Sequence, residues 1–182
     1  MKLIAGVDEV GRGCLAGPVI AAAVIFKNNI PGLKDSKKLS IKKRQELSLM
    51  IMENSYFSFG SASVKEIDKI NILQASLLAM KRAILNLSVK PVKILVDGVH
   101  KPDLDIDTQT IIKGDSYIDE ISAASIIAKV YRDNLMMQFD KKYPNFYFSS
   151  HKGYGTKLHK AAINKYGITP VHRKTFKGVI NL

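Results

Sequence analysis

"KLIAGVDEVGRGCLAGPVIAAAVIF", residues 2–26, contains two short apolar runs, KLIAGV and PVIAAAVIF, separated by a stretch of glycine, charge and small residues. Both runs have the length, the Val/Ile content and the Gly/Pro boundaries of buried strands. Two adjacent carboxylates, Asp8 and Glu9, stand at the end of the first run. Side chains on neighbouring strand residues point to opposite faces, so two acids serving one site imply a bend. Gly6 and Gly11 are placed to permit one. Arg12, between Gly11 and Gly13, lies in main chain bare enough for a ligand to approach closely.

Outward from this segment, YFSFGSASV, VKILVDGV and TQTIIKG read as three further strands. Leu73, Leu77, Met80, Ile84 and Leu87 recur at helical spacing after Asn71, whose partner Gln74 three residues on resembles a capping box. Further helices are expected near 40–53, 118–140 and 157–166, the last closed by Gly167. Strands and helices mixed in this way indicate an α/β protein. No repeat, low-complexity tract or linker divides the chain, so residues 1–182 read as one domain.

The 182 residues are 46% apolar and 24% charged, with a formal charge of +12. That charge favours a polyanionic partner, although abundant Lys, Ile and Asn can also reflect an A/T-rich genome. The lone cysteine, Cys14, excludes an intramolecular disulfide framework, fits a reducing cytosol and reads as a small packed residue. The apolar run 18–26 is far below the ~20 residues of a membrane span, and the amino end is too short for a signal peptide. A cytoplasmic protein without a membrane partner is expected. Residues 141–155 combine aromatics with lysines, which suits either stacking beside phosphates or an edge loop packed on the core.

Asp97 closes KILVDG and Asp115 follows IIKGD, so two more carboxylates stand where strands give way to loops. Strand ends are where open sheets place ligands, though Asp is also a common cap or turn residue. If Asp8, Glu9, Asp97 and Asp115 converge, their repulsion raises pKa values unless cations compensate. Hard oxygen donors, without cysteine or a His-x-x-x-His pair, favour Mg²⁺ or Mn²⁺ over zinc. Two such ions can activate water and stabilise a leaving oxygen in phosphoryl displacement. His100, His151, His159 and His172 show no ligand spacing and read as surface or hydrogen-bonding residues.

The blocks GVDEVGRG…AGP, DSKKL, VDG, KGD, AASIIAKVYRD and HKGYGT, in this order along nearly the whole chain, resemble ribonuclease HII. The resemblance implies an RNase H-like fold, with a central mixed five-stranded sheet flanked by helices. It also implies a monomeric, metal-dependent endoribonuclease that cleaves RNA in RNA–DNA hybrids and cuts 5′ of single ribonucleotides embedded in duplex DNA, leaving 3′-hydroxyl and 5′-phosphate ends. By the same resemblance Asp8, Glu9, Asp97 and Asp115 hold two Mg²⁺ or Mn²⁺ ions. Gly11, Arg12 and Gly13 match the tripeptide that reads the ribose 2′-hydroxyl, the group that separates RNA from DNA. Tyr154 matches a tyrosine that stacks on the following deoxyribose, and Lys37, with Ser36 and Lys38 weaker, resembles a phosphate contact. Asp133, beside Arg132 in a predicted helix, reads as a structural ion pair. A non-catalytic binder of RNA or hybrids would gain nothing from four acids near its groove, and another two-metal nuclease would not need the Gly-Arg-Gly turn.

Overall fold

A computed structural model of the chain describes residues 3–33 and 40–180. The two opening runs form β1 (Ile4–Val10) and β2 (Val19–Phe26), and β3 (Ser55–Ala62) follows β2 antiparallel. On the other side of β1, β4 (Lys93–Asp97) and β5 (Thr108–Ile111) run parallel, giving the order β3-β2-β1-β4-β5. The expected mixed five-stranded sheet is therefore present, with β1 at its centre. Helices α1 (Ile41–Glu53), α2 (Val64–Leu85), α3 (Asp119–Lys142), α4 (Phe148–His151) and α5 (Lys157–Tyr166) complete the fold.

The period of two in β2 explains the layers. Val19, Ala21, Ala23 and Ile25 pack with Ala75, Ala79 and Ala83 of α2, whereas Ile20, Ala22 and Val24 pack with α1 and α3. Both faces of β2 are buried, which is why its sequence is continuously apolar rather than alternating. No helix among the described residues is long and apolar enough to cross a membrane.

Three expectations change on folding. First, Gly6 does not bend β1, which stays in register with Val24 on one side and Leu95 on the other. A Cβ there would stand 2.1 Å from the main-chain carbon of Glu120, so Gly6 lets α3 lie directly on the strand.

Second, α2 begins at Val64, well before Asn71, behind a capping box in which Ser63 and Glu66 satisfy each other's backbone amides. Asn71 breaks the helix with φ 65° and ψ 168°, and its Oδ1 accepts the Gln74 amide at 3.1 Å. The sequence therefore marks a real cap, but of the second half of a kinked helix. The first half escaped the periodicity because Ile67 is its one buried residue.

Third, residues 141–155 are ordered into the end of α3, a 3₁₀ turn at Pro144–Phe146 and α4. Phe146 and Phe148 are buried with Leu15, Ala16, Met136 and Ile163, while Tyr147 and Tyr154 remain exposed. The segment is both a packed edge and a surface.

Candidate active site

The central strand delivers Asp8 and Glu9 to the end of the sheet. Registered pairing of β1 with β4 stops at Val7 opposite Val96, while β1 continues to Val10 against β2 alone. The notch beyond that last pair brings Asp8 beside Asp97, the closing residue of β4. Asp115 enters from the 3₁₀ turn Gly114–Ser116 that leads into α3. All four acids line one pocket of about 400 Å³, together with Val10, Arg44, Ser125, Ile126 and Lys129. Neither Asp8 nor Glu9 needs a bent strand to reach it.

The electrostatics of this pocket are unfavourable to unscreened carboxylates. Burial, then the charges of Glu9 and Asp97, push the Asp8 carboxyl well above the usual range, against hydrogen bonds from Ser125 and the Glu9 amide. Glu9 is also raised, first by burial, while the Arg12 guanidinium opposes the shift. Arg12 Nη1 lies 3.1 Å from Glu9 Oε1. As placed, no three His, Cys, Asp or Glu side chains among the described residues form a group that could hold a metal ion. The donor set nevertheless fits a hard divalent cation, since every acid is an oxygen ligand and a cation would relieve the like charges that raise Asp8.

Beside the pocket, Gly11 (φ +95°) turns the chain out of β1. Arg12 and Gly13 are exposed on that turn, and nothing lies within 4 Å of where a Cβ on Gly13 would stand. Two buried guanidiniums hold the strap from behind. Arg132 donates to the carbonyls of Pro18, Ala16 and Lys152 at 2.9–3.0 Å. Arg173 donates to Gly17, Arg12 and Gly11 at 2.9, 2.8 and 2.7 Å. Arg132 is thus not the ion-pair partner of Asp133, which binds Lys129 at 2.7 Å instead. Main-chain carbonyls outcompete a carboxylate for Arg132 because its whole side chain is buried.

Tyr154 is drawn to the same strap. It pairs with Cys14 in an isolated antiparallel bridge, and the Leu15 amide donates to Gly153 at 2.8 Å. The Cys14 thiol is buried and shares a hydrogen bond with the tyrosine side chain; burial raises both of their pKa values. Tyr154 is 41% exposed, enough to present part of its side chain to solvent. Lys129 Nζ lies 6.0 Å from the ring centroid, so one lysine spans the acidic pocket and Tyr154.

Behind Tyr154 three histidines form a buried, hydrogen-bonded cluster. The Thr169 amide donates to His172 Nδ1 at 2.9 Å, which leaves His172 Nε2–H to donate to His159 Nε2 at 3.1 Å. His159 Nδ1–H then donates to the Tyr154 carbonyl at 2.9 Å. Burial lowers the pKa of His159 and of His172 to about 4. The hydrogen-bonding role expected of these two residues, and of His151, holds. His100 differs, lining a second pocket of about 220 Å³ on the far side of Glu9 and Asp97 with Arg12 and Ser76.

The expected contacts at Lys37, Ser36 and Lys38 lie outside the described residues. Sequence reasoning missed Ser125, Lys129 and Arg44 as lining residues. Ser125 and Lys129 were findable, since a spacing of four puts them on one face of α3.

The sequence profile of ribonuclease HII matches residues 5–179. The chain belongs to the ribonuclease HII family. A curated ribonuclease HII from Coxiella burnetii is 57% identical over 183 residues, covering 99% of this chain and 91% of its own. The ribonuclease HII fold solved in a complex with PCNA from Archaeoglobus fulgidus superposes with a TM-score of 0.83 at 26% identity, covering 96% of this chain and 95% of that one. A more distant fold match is Bst-RNase HIII in complex with Mn²⁺, with a TM-score of 0.74 at 18% identity, covering 98% of this chain and 68% of that one. Ribonucleases HII are hydrolases, endoribonucleases acting on RNA in RNA–DNA hybrids, and the mixed sheet with flanking helices is their RNase H-like fold.

Proposed function

We propose that this chain cuts on the 5′ side of single ribonucleotides embedded in duplex DNA, as well as within RNA–DNA hybrids, leaving a 3′-hydroxyl and a 5′-phosphate. The observation that carries this reading is the adjacency of two features. Four acids from β1, β4 and the Asp115 turn share one pocket, and the Gly-Arg-Gly turn, with Arg12 and Gly13 exposed, begins two residues past Glu9 and pairs with it through Arg12.

Asp8, Glu9, Asp97 and Asp115 would hold the divalent ions, Mg²⁺ or Mn²⁺. Two such ions, when bound, supply an activated water and stabilise the leaving oxygen. Gly11, Arg12 and Gly13 present peptide groups flanked by glycines to the ribose edge, and the 2′-hydroxyl there both donates and accepts. Tyr154 offers a stacking face to the next sugar. Lys129 and Arg44 bring positive charge to a pocket that must admit a phosphate. Lys37 contacts a flanking phosphate in this reading. The catalytic unit is the single domain 1–182, acting as a cytoplasmic monomer.

The test is cleavage of a duplex carrying one ribonucleotide, with Mg²⁺ and Mn²⁺ compared and the cut mapped at nucleotide resolution. A cut at the 5′ side that requires added metal is expected. Cleavage of all-DNA duplex at a comparable rate, or cleavage unaffected by chelator, would refute the reading.

A further inference from the structure

The trans peptide places the carbonyl of one residue and the amide of the next on opposite sides of the chain. Arg173 takes the carbonyls of Gly11 and Arg12 on its two Nη groups. The amides of Arg12 and Gly13 must therefore face away from it, toward the exposed side of the turn. Among the described residues neither amide donates to a protein acceptor. We propose that Arg173 is the positioning residue for ribose recognition, holding these two amides outward as a preformed pair of donors. The proposal rests on the reading of Gly-Arg-Gly as the turn that meets the 2′-hydroxyl.

Arg173 is suited to this by its own fixation. Its side chain is fully buried, its amide donates to Leu15 at 2.9 Å, and its guanidinium carbon lies 4.9 Å from the Phe176 ring centroid. Asp68 of α2 accepts the amides of Lys174 and Thr175, both at 3.1 Å, and so fixes the backbone that follows. The planar fork matches two adjacent carbonyls in a way that an ammonium does not. Charge on the carbonyl side also polarises each peptide, which strengthens the donor on its far side. Arg132 provides an internal contrast. It is as deeply buried and also holds three carbonyls, but those of Ala16, Pro18 and Lys152, none within the tripeptide.

The experiment measures Kd for two duplexes that differ in a single 2′-hydroxyl, with Ca²⁺ in place of Mg²⁺ to hold cleavage back, for wild type, Arg173→Lys and Arg132→Lys. Thermal unfolding is followed in parallel. Both variants are expected to lower Tm, but only Arg173→Lys should lower the ribose-over-deoxyribose preference, by about tenfold, or 1.4 kcal/mol. A preference lowered equally by both variants, or by neither, overturns the proposal. A wild type that binds both duplexes alike instead overturns the Gly-Arg-Gly reading itself. Should Arg173→Lys not fold, NMR of the wild type decides. The Arg173 side-chain N–H signals should shift together with the Arg12 and Gly13 amides on adding the ribose-containing duplex and not the all-DNA one. Amides that shift while Arg173 stays still refute the coupling.

Discussion

Two alanine substitutions two residues apart should act in opposite ways. At Gly13 a new Cβ meets no protein atom within 4 Å, and the backbone lies outside the positive-φ region. Replacing such a glycine stabilises a fold by about 0.4–1 kcal/mol through the unfolded chain, which for a protein of this size raises Tm by roughly 1–4 °C. The same methyl would stand where the ribose is proposed to approach. Displacing a reacting group by about 1 Å can cost roughly 100-fold in rate, so kcat/KM on a single-ribonucleotide duplex should fall by that order.

At Gly11 the conditions reverse. The φ of +95° costs a non-glycine residue about 1–3 kcal/mol, and the new Cβ would lie 2.2 Å from Arg132 Nε. That nitrogen is tied to the Pro18 carbonyl and cannot retreat without giving up a charge-assisted hydrogen bond worth about 1.5–3 kcal/mol. The sum, about 2.5–6 kcal/mol, corresponds to a Tm lowered by about 5 °C or more. Differential scanning fluorimetry and steady-state cleavage on the same preparations separate the two cases. Gly13→Ala that cleaves within twofold of wild type would show that nothing approaches over Gly13. Gly11→Ala with an unchanged Tm would show that the Arg132 clamp is not rigid.

Asp115→Asn removes a proposed charged ligand at nearly constant volume, so turnover in saturating Mg²⁺ should fall by about 100-fold or more with the fold intact by circular dichroism; near-wild-type turnover would remove Asp115 from the site. Because burial and like charges disfavour ionised Asp8, Mg²⁺ should raise Tm, and Asp8→Asn should raise the metal-free Tm while diminishing the Mg²⁺ increment; an undiminished increment would place the ion elsewhere. Tyr154→Ala should lower activity on the single-ribonucleotide duplex about tenfold or more, by analogy with stacking worth about 1–3 kcal/mol, and should lower it less on an all-RNA strand paired with DNA. Equal losses on both substrates would mean that the ring only supports its loop. His159 and His172 titrate near 4 in the fold and near 6.5 when unfolded, so between those values the unfolded chain binds more protons. Their contribution to stability is complete above about pH 6.5 and shrinks as pH falls toward 4, by on the order of 3 kcal/mol per imidazole at most. A denaturant midpoint that stays flat from pH 7 to 4.5 would contradict the buried relay of hydrogen bonds.

The sheet was legible because its strands differ strongly from their surroundings in polarity, and the convergence of four acids on one pocket was legible because each ends or follows an apolar run. Gly6 was misread, since a glycine that admits a helix backbone and one that bends a strand look the same until the helix is in place. The start of α2 was hidden by its polarity, with Ser63 and Glu66 supplying the only local signal. Arg132 and Arg173 were invisible as clamps. Apart from Lys152, their partners are main-chain carbonyls more than a hundred positions away, and a carbonyl carries no residue identity for a sequence to display. Lys129 reaches both the acids and Tyr154 only because α3 lies along β1, which spacing along one helix does not reveal.

The separation between the strap and Arg173 also sets an order of events during synthesis. Gly11 leaves the ribosome 162 residues ahead of the guanidinium that will hold its carbonyl. At translation rates of about 5–20 residues per second, that interval is roughly 8–30 s. Through that time β1, β2 and their acids can begin to assemble, while the carbonyls of Gly11 and Arg12 still lack the guanidinium that will hold them. A growing chain thus acquires its charged pocket before Arg173 can hold the turn beside it, and the proposed sugar reader is the last part to be installed.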